Sequence, residues 1–246
     1  MRYLVTLLAL SCSMALLAPA PSRAEDASPV ASPTTGPSVL PPDVPAYGLT
    51  YGEWAARHWQ WLLSLPMAIN PNIDATGEHC GYGQAGPVFF LTQTSAGTAE
   101  RVCTVPAGTA LFFPLLDTDC STVEAPPFFG RDETELQTCV EALLATRAEL
   151  TATVDGVAIP DLERYRAQSP LFTVALPADN WLEVEPAVAA AVADGYWLLL
   201  APLPPGEHEL HFGGALPDLG VMGEVTYHLT VAEPTVGEPP GGTPVP

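Results

Sequence analysis

The sequence has no lysine and few basic residues of any kind. All eight basic residues are arginine, against 28 acidic residues, and the formal net charge of the 246-residue chain is −20. A protein of this charge repels nucleic acids and anionic lipid surfaces, and it attracts cations or a basic partner. We therefore predict no nucleic-acid partner, and a ligand that is a protein, a glycan or a cation.

Signatures of common catalytic sites are also missing. The chain has no G-x-S-x-G nucleophile elbow and no C-x-x-C pair of the kind that holds zinc or performs redox chemistry. A nucleophilic Cys80 beside His79 is disfavoured, because an exported chain with an even number of cysteines oxidises them in pairs. The sequence thus favours a non-catalytic binding or structural module at or near the cell surface. A secreted glycan hydrolase is the alternative.

Residues 1–24 are typical of a secretory signal peptide. Arg2 supplies the positive start, Leu4 to Leu17 are almost uniformly apolar, and Ser22 to Ala24 place small residues at a cleavage site. The apolar run is shorter than the roughly 20 residues that cross a bilayer, and no later segment is long enough. We expect a soluble, extracytoplasmic bacterial protein without a transmembrane segment, secreted or associated with the cell surface.

The remainder of the chain divides by composition into three parts. Residues 25–46 are rich in proline, serine and alanine, which predicts a disordered linker, and residues 233–246 form a similar Pro/Gly-rich tail. The 186 residues between them, 47–232, are enough for one domain with a sizeable core.

Three of the five tryptophans lie in one short stretch, "TYGEWAARHWQWLLSLP", residues 50–66. Thr50 and Glu53 have the spacing of a capping box, and Pro66 ends the segment, so we predict a helix between them. One face of that helix is apolar and aromatic, which indicates core packing rather than an aromatic ligand platform. The residues on this face are Trp54, His58, Trp61, Leu62 and Leu65.

The predicted fold is mainly β: an antiparallel β-sandwich with two packed α-helices. A second helix is predicted from Asp132 to Ala148. The last three strands have the pattern of a meander that closes many extracellular sandwiches. Short apolar runs between glycine and proline residues predict eight strands, at 87–92, 101–105, 110–116, 149–156, 171–176, 195–201, 206–214 and 223–231.

Four cysteines remain if Cys12 leaves with the signal peptide, and four cysteines allow three disulfide pairings. We predict the pairs Cys80–Cys103 and Cys120–Cys139. The first pair brackets a strand, a polar turn and a second strand, and a hairpin would bring its ends together. The second encloses a Pro-rich loop that leads into a helix. The crossed pairings, which would tie the hairpin to the helix, are the alternatives.

Two segments have weak metal-binding patterns. On the strand "GEHELHF", Glu207, Glu209 and His211 alternate onto one face, and His228 on the next strand would lie across from them in a hairpin. Imidazole and carboxylate groups suit zinc, and a solvated strand face is the alternative.

The loop "NPNIDATGE" has oxygen-bearing side chains at alternate positions, as calcium-binding loops do. Its glycine, Gly77, comes too late for an EF-hand. The calcium candidates from this loop and from the acidic segment "LDTDC" are Asn72, Asp74, Glu78, Asp117 and Asp119. A hydrolase would instead use paired carboxylates, and Glu183 and Glu185 lie beside Trp181, which could stack on a sugar.

Four segments together resemble a group of secreted bacterial proteins. They are "YGEWAARHWQW", "GEHCGYGQAGPVFFL", "RVCTVPAGTALFFPLL" and "GEHELHFGG" with "VTYHLTV", so the resemblance covers most of the domain from Tyr47 to Val231. No activity is established for that group, so the resemblance implies no catalytic residue. It does imply that Cys80 and Cys103 belong to one structural framework.

Overall fold

The computed structural model describes residues 36–94 and 96–233. The predicted signal peptide, residues 25–35 of the predicted linker and all of the predicted tail except Glu233 lie outside these ranges. Within them, neither α-helix has the length and hydropathy needed to cross a membrane.

Ten strands form two five-stranded sheets that pack together. In the first sheet the order is β1-β3-β8-β6, and β7 also pairs with β8. In the second the order is β2-β10-β9-β4-β5. The strands are β1 Val88–Phe90, β2 Gly97–Pro106, β3 Ala110–Ser121, β4 Glu149–Val154, β5 Val157–Ala158, β6 Arg166–Gln168, β7 Phe172–Ala175, β8 Val188–Leu200, β9 Gly206–Leu216 and β10 Val221–Ala232.

The predicted class, a mainly β sandwich with two helices, is confirmed. Each sheet is mixed rather than purely antiparallel, because β1 pairs with β3 and β2 pairs with β10 in parallel. The core between the sheets includes Phe113 and Phe212, whose ring centroids lie 4.4 Å apart. The predicted closing meander is wrong in one respect: β9 and β10 form a hairpin, but β8 belongs to the other sheet.

Both predicted disulfides are present, but the hairpin reasoning behind the first was wrong. The strands β1 and β2 lie in different sheets, so Cys80 and Cys103 are not the ends of a hairpin. Instead the loop before Cys80 lies against β2, where the Val102 backbone N–H donates to the Thr76 carbonyl over 2.8 Å. Gly77 permits this approach, because a Cβ there would lie 2.4 Å from the Val102 oxygen.

The tryptophan-rich helix, α1, spans Tyr51–Ser64 and begins with the predicted capping box of Thr50 and Glu53. Its tryptophans are buried, as the core interpretation predicted. Two of them also hydrogen-bond to backbone carbonyls: Trp54 to Ala46 and Trp61 to Tyr82. The helix packs against the face of the first sheet that turns away from the second sheet.

The second helix, α2, spans Glu133–Leu143 and is capped by Asp132, so it ends earlier than predicted. Its buried residues Leu136 and Val140 pack with Cys120 and Val192 around the Cys120–Cys139 bond. This disulfide therefore joins the helix, the end of β3 and the loop between them.

Part of the segment predicted as a linker contacts the domain. The Leu40 backbone N–H donates to the Leu199 carbonyl, and Ala201 donates to Ser38, each over 2.8 Å. The Tyr51 hydroxyl also donates to the Leu40 carbonyl. Residues 38–40 thus extend the first sheet beyond the boundary placed at residue 47.

Replacing Cys120 and Cys139 together by serine is expected to lower the free energy of unfolding by about 3 kcal/mol. The bond closes a loop with a sequence separation of 19 residues, and closing a loop of about that size removes comparable entropy from the unfolded chain. Urea unfolding of the double variant and the oxidised parent measures the difference. An unchanged midpoint and slope would show that the bond does not stabilise this region.

Candidate functional site

A cavity of about 540 Å³ lies beside the second half of β3, next to helix α1. Its wall comes from the end of α1, the second half of β3, helix α2, the loop around Trp181 and the turn between β9 and β10. The volume is in the range of small-molecule sites. Its lining is largely aliphatic and aromatic, and four of its residues can titrate: His58, Asp117, Asp119 and Glu124.

A β-bulge at Leu115 places two of these carboxylates in the cavity. Pro114 pairs with Trp197, but the next pairs are Leu116 with Tyr196 and Asp117 with Gly195, so one residue is skipped. Cross-strand partners share a face of the sheet. The skip therefore moves Asp117 onto the same face as Trp197, toward α1, whereas regular alternation would turn it toward the second sheet.

Asp119 follows Asp117 on that face, since it pairs with Ala193. Gln93 anchors the bulge, because its amide donates to the carbonyls of Leu115 and Gly223, each over 2.7 Å. Gly195 leaves room for the first carboxylate, since a Cβ there would lie 2.6 Å from the Asp117 Cβ. Bulges commonly redirect side chains in this way near functional sites.

The two aspartates differ in their surroundings, but the pKa of each is raised. Burial raises the pKa of Asp117 to about 7, and the nearby Trp59 indole only partly offsets this. Burial, together with the charges of Glu124 and Asp117, raises the pKa of Asp119 well above its usual range. Asp119 is 5% exposed, and its Oδ2 atom has no hydrogen-bond partner.

Glu124 approaches Asp119 from the loop that follows β3. The buried Ser121 hydroxyl donates to the Glu124 carboxylate over 2.8 Å and accepts from the backbone N–H groups of Val123 and Glu124. This local turn holds the glutamate over the strand. Burial raises the pKa of Glu124 to about 7, against the opposing effect of the Ser121 hydrogen bond.

His58 lines the cavity as a neutral imidazole. Its Nε2 lies 3.0 Å from the Leu91 carbonyl, which can only accept, so Nε2 carries the proton. Burial lowers the pKa of His58 to about 4. The Nδ1 atom is buried without a hydrogen-bond partner. His58 therefore supplies no positive charge to the neighbouring carboxyls at neutral pH.

Two stacked tryptophans form an aromatic wall. The rings of Trp59 and Trp181 have centroids 6.1 Å apart and an interplanar angle of 27°. The loop that carries Trp181 is held by Asn180, whose side chain donates to the carbonyls of Pro177 and Val184. Trp59, which is not on the predicted apolar face of α1, thus packs against a residue more than a hundred positions later in the chain.

A buried arginine orders the polar loops on another side of the cavity. The Arg101 guanidinium donates to the carbonyls of Thr92, Gln93 and Asn72, and also to the Tyr227 hydroxyl. Asn72 and Gln93 line the cavity, whereas Arg101 itself does not. Arg101 thus positions the wall without placing its charge there.

The predicted zinc residues share one strand face, as the register shows, but they do not converge. His228 pairs with Glu209, while Thr226 pairs with His211 and Thr230 with Glu207. Each imidazole has its own nearest carboxylate: His211 Nε2 lies 3.7 Å from Glu224, and His228 Nε2 lies 3.8 Å from Glu100. In residues 36–94 and 96–233, no three histidine, cysteine or acidic side chains form a metal-binding group.

The predicted calcium residues are divided between two places. Asp74 accepts hydrogen bonds from its own loop, from the backbone N–H groups of Thr76 and His79 and from the Thr76 hydroxyl. Only Asn72, Asp117 and Asp119 line the cavity. Glu78 is exposed. Calcium binding thus stays a prediction, without a convergent set of ligands.

The carboxylates predicted for glycan hydrolysis, Glu183 and Glu185, are exposed and lie outside the cavity, although Trp181 lines it. The acids that line the cavity together with Trp181 come from β3 and its following loop. Glu124 was missed because neither periodicity nor charge distinguishes it. The Ser121-x-x-Glu124 spacing, which permits a side-chain-capped turn, was the available signal.

Comparison of the chain with protein-family models, with curated proteins and with solved structures gives no match.

Proposed function

We propose that the protein is an extracytoplasmic binding protein for a small organic ligand, which it holds in the cavity beside Trp59 and Trp181. The observation that carries this proposal is the combination of a cavity of about 540 Å³ with buried, incompletely paired polar groups in an otherwise apolar wall. Apolar pockets with a few fixed polar groups are the usual form of small-molecule sites. The two disulfides support the proposed location, because such bonds persist in oxidising compartments.

The mouth of the cavity favours access by a ligand with an apolar body. Phe128, Leu219 and Val221 line the cavity and are 40%, 56% and 44% exposed. Apolar side chains grouped around an opening lose contact with water when a ligand enters, and this stabilises the complex.

A neutral fluorescent probe, N-phenylnaphthylamine, tests the proposal without any charge on the ligand. We expect saturable binding of one probe per chain, because the aromatic wall provides an apolar surface for its rings. Val221→Trp should block the mouth and abolish binding. The matched control is Val188→Trp, because Val188 is 74% exposed on β8 and lies outside the cavity.

Binding that persists unchanged in Val221→Trp, or that disappears equally in Val188→Trp, would contradict the cavity as the binding site. Thermal unfolding of both variants establishes that they fold like the parent.

The second candidate function is acid-catalysed glycoside hydrolysis in the same cavity. It is favoured by carboxyls of raised pKa beside a tryptophan wall, since a glycosidase needs one protonated and one ionised carboxyl. Release of aryl alcohol from aryl glycosides, lost in Asp119→Asn and retained in Glu183→Gln, would establish this function. No release by the parent would leave ligand binding as the only activity of the cavity.

A further inference from the structure

Three carboxyl groups in the cavity wall have no cationic partner within residues 36–94 and 96–233. Asp117 and Asp119 reach it from β3, and Glu124 reaches it from the loop that follows. None of the ion pairs in the described ranges involves these three residues. His58, the remaining titratable residue of the lining, donates from Nε2 to Leu91 and has no second proton to offer.

Ionising these carboxyls is costly while no counter-charge is present. A buried carboxylate without a counter-charge or hydrogen bonds loses its hydration and gains little in return. Asp119 is the clearest case, since its side chain lines the cavity, is 95% buried, and has one oxygen without a partner. Structural carboxylates at this depth are normally paired, so the missing partner is expected to come from outside the chain.

We propose that the ligand carries a primary ammonium group on an aliphatic or aromatic body, and that this ammonium sits between Asp119 and Glu124. The inference rests on the proposed function. The ammonium pairs with the carboxyls of Asp119 and Glu124, and the body of the ligand packs along Trp59 and Trp181. A cation close to an aromatic face gains further attraction from the ring.

An organic cation fits this lining better than a metal ion. The three carboxyls do not form a convergent metal-binding group. An ammonium group needs only one or two acceptors, and it tolerates their spread along a strand and a loop. The apolar rim would give a bare metal ion no additional contact, whereas it would contact the body of an organic ligand.

The affinity for an ammonium ligand is expected to depend on pH in a defined direction. The groups that face the ammonium are Asp117 and Asp119 on β3, Glu124 on the loop and His58 on α1. The other lining residues are uncharged. Low pH protonates the carboxyls and removes the attraction, so affinity rises with pH until the amine itself loses its proton. The bound cation also favours the ionised carboxyls, so binding at neutral pH releases protons.

A matched series of three compounds tests this inference: phenethylammonium, phenethyl alcohol and hydrocinnamate. They share the same aromatic body and differ in whether the polar group is cationic, neutral or anionic. Calorimetric titration at physiological salt should show the ammonium binding at least about tenfold more tightly than the alcohol, with no binding of the carboxylate. The affinity for the ammonium should be greater at about pH 8 than at about pH 5.

Asp119→Asn should lower the affinity for the ammonium by at least about tenfold and so remove its preference over the alcohol. Glu183→Gln is the matched control, because it removes the same charge from an exposed position outside the cavity. Methylammonium, which has no apolar body, reports attraction to the overall negative charge alone. Asp117→Asn provides a second variant should Asp119→Asn fail to fold.

The outcomes separate the two proposals. Equal binding of the ammonium and the alcohol, or a preference that survives both aspartate variants, would overturn the ammonium inference and leave the cavity as a binding site. Binding of none of the three compounds, together with no binding of N-phenylnaphthylamine, would overturn both. A loss of preference in Glu183→Gln would identify a general charge effect and would also overturn the inference.

Discussion

Replacing Trp54 or Trp61 by alanine is expected to lower the free energy of unfolding by roughly 3 to 5 kcal/mol, as for other large-to-small changes in protein cores. Each indole is 7% exposed, and each donates a hydrogen bond to a backbone carbonyl that would lose its partner. Both rings pack against Phe90, with centroids 6.2 and 5.5 Å away.

Urea unfolding followed by circular dichroism measures this loss. Val188→Ala, a truncation at a position that is 74% exposed, is the control, and it should change stability by no more than about 0.5 kcal/mol. A loss below about 1 kcal/mol in both tryptophan variants would contradict the packing of α1 on the first sheet.

The stability of the empty protein is expected to fall as the pH rises from about 4 to about 7. Burial raises the pKa of Asp117 and Glu124 to about 7 in the folded state, whereas carboxyls in the unfolded chain titrate at about 4. Over this interval the folded state binds more protons than the unfolded state. The free energy of unfolding therefore decreases with pH, on the order of 3 kcal/mol for one such carboxyl.

His58 acts in the opposite direction, since burial lowers its pKa from 6.5 to about 4. The unfolded chain takes up this proton first, so His58 alone would make stability rise with pH across that interval. Three carboxyls of raised pKa outweigh this imidazole, so the net slope is negative over most of the interval. Carboxyls of lowered pKa oppose it mainly below about pH 5; they are Glu53, Asp74, Glu135 and Asp155. Comparison with Asp117→Asn isolates one carboxyl, because the variant should lose less stability between about pH 4 and about pH 7 than the parent. Identical pH profiles of the two proteins would contradict the raised pKa of Asp117.

Local sequence patterns predicted well where the helices and strands lie, but they predicted poorly which strands pair with each other. Thr50 and Glu53 fixed the start of α1, because a capping box depends only on residues within one turn. The pairing of Cys80 with Cys103 was predicted for a wrong reason. Alternation and turn residues locate a strand, but they carry no information about which sheet it joins. Whether β2 pairs with β1 or with β10 depends on contacts more than a hundred residues apart.

The sequence could not reveal the cavity, because a β-bulge places its aspartates. In "ALFFPLLDTDC" the first seven residues are apolar throughout, so no alternation shows which face each side chain takes or where a residue is skipped. Asp117 and Asp119 were accordingly recognised only as an acidic segment and assigned to calcium. The stacking of Trp59 on Trp181 likewise depends on a loop that Asn180 anchors by tertiary contacts.

The ammonium proposal depends on three carboxyls of raised pKa at one place, where Asp119 is buried and Asp117 and Glu124 are partly buried. Carbon-detected NMR titration of the side-chain carboxyls measures this directly in the ligand-free protein. The account predicts midpoints near pH 7 for Asp117 and Glu124 and an elevated midpoint for Asp119. Titration of all three in the ordinary range of about 3 to 5 would contradict it, since hydrated carboxyls would need no partner from a ligand.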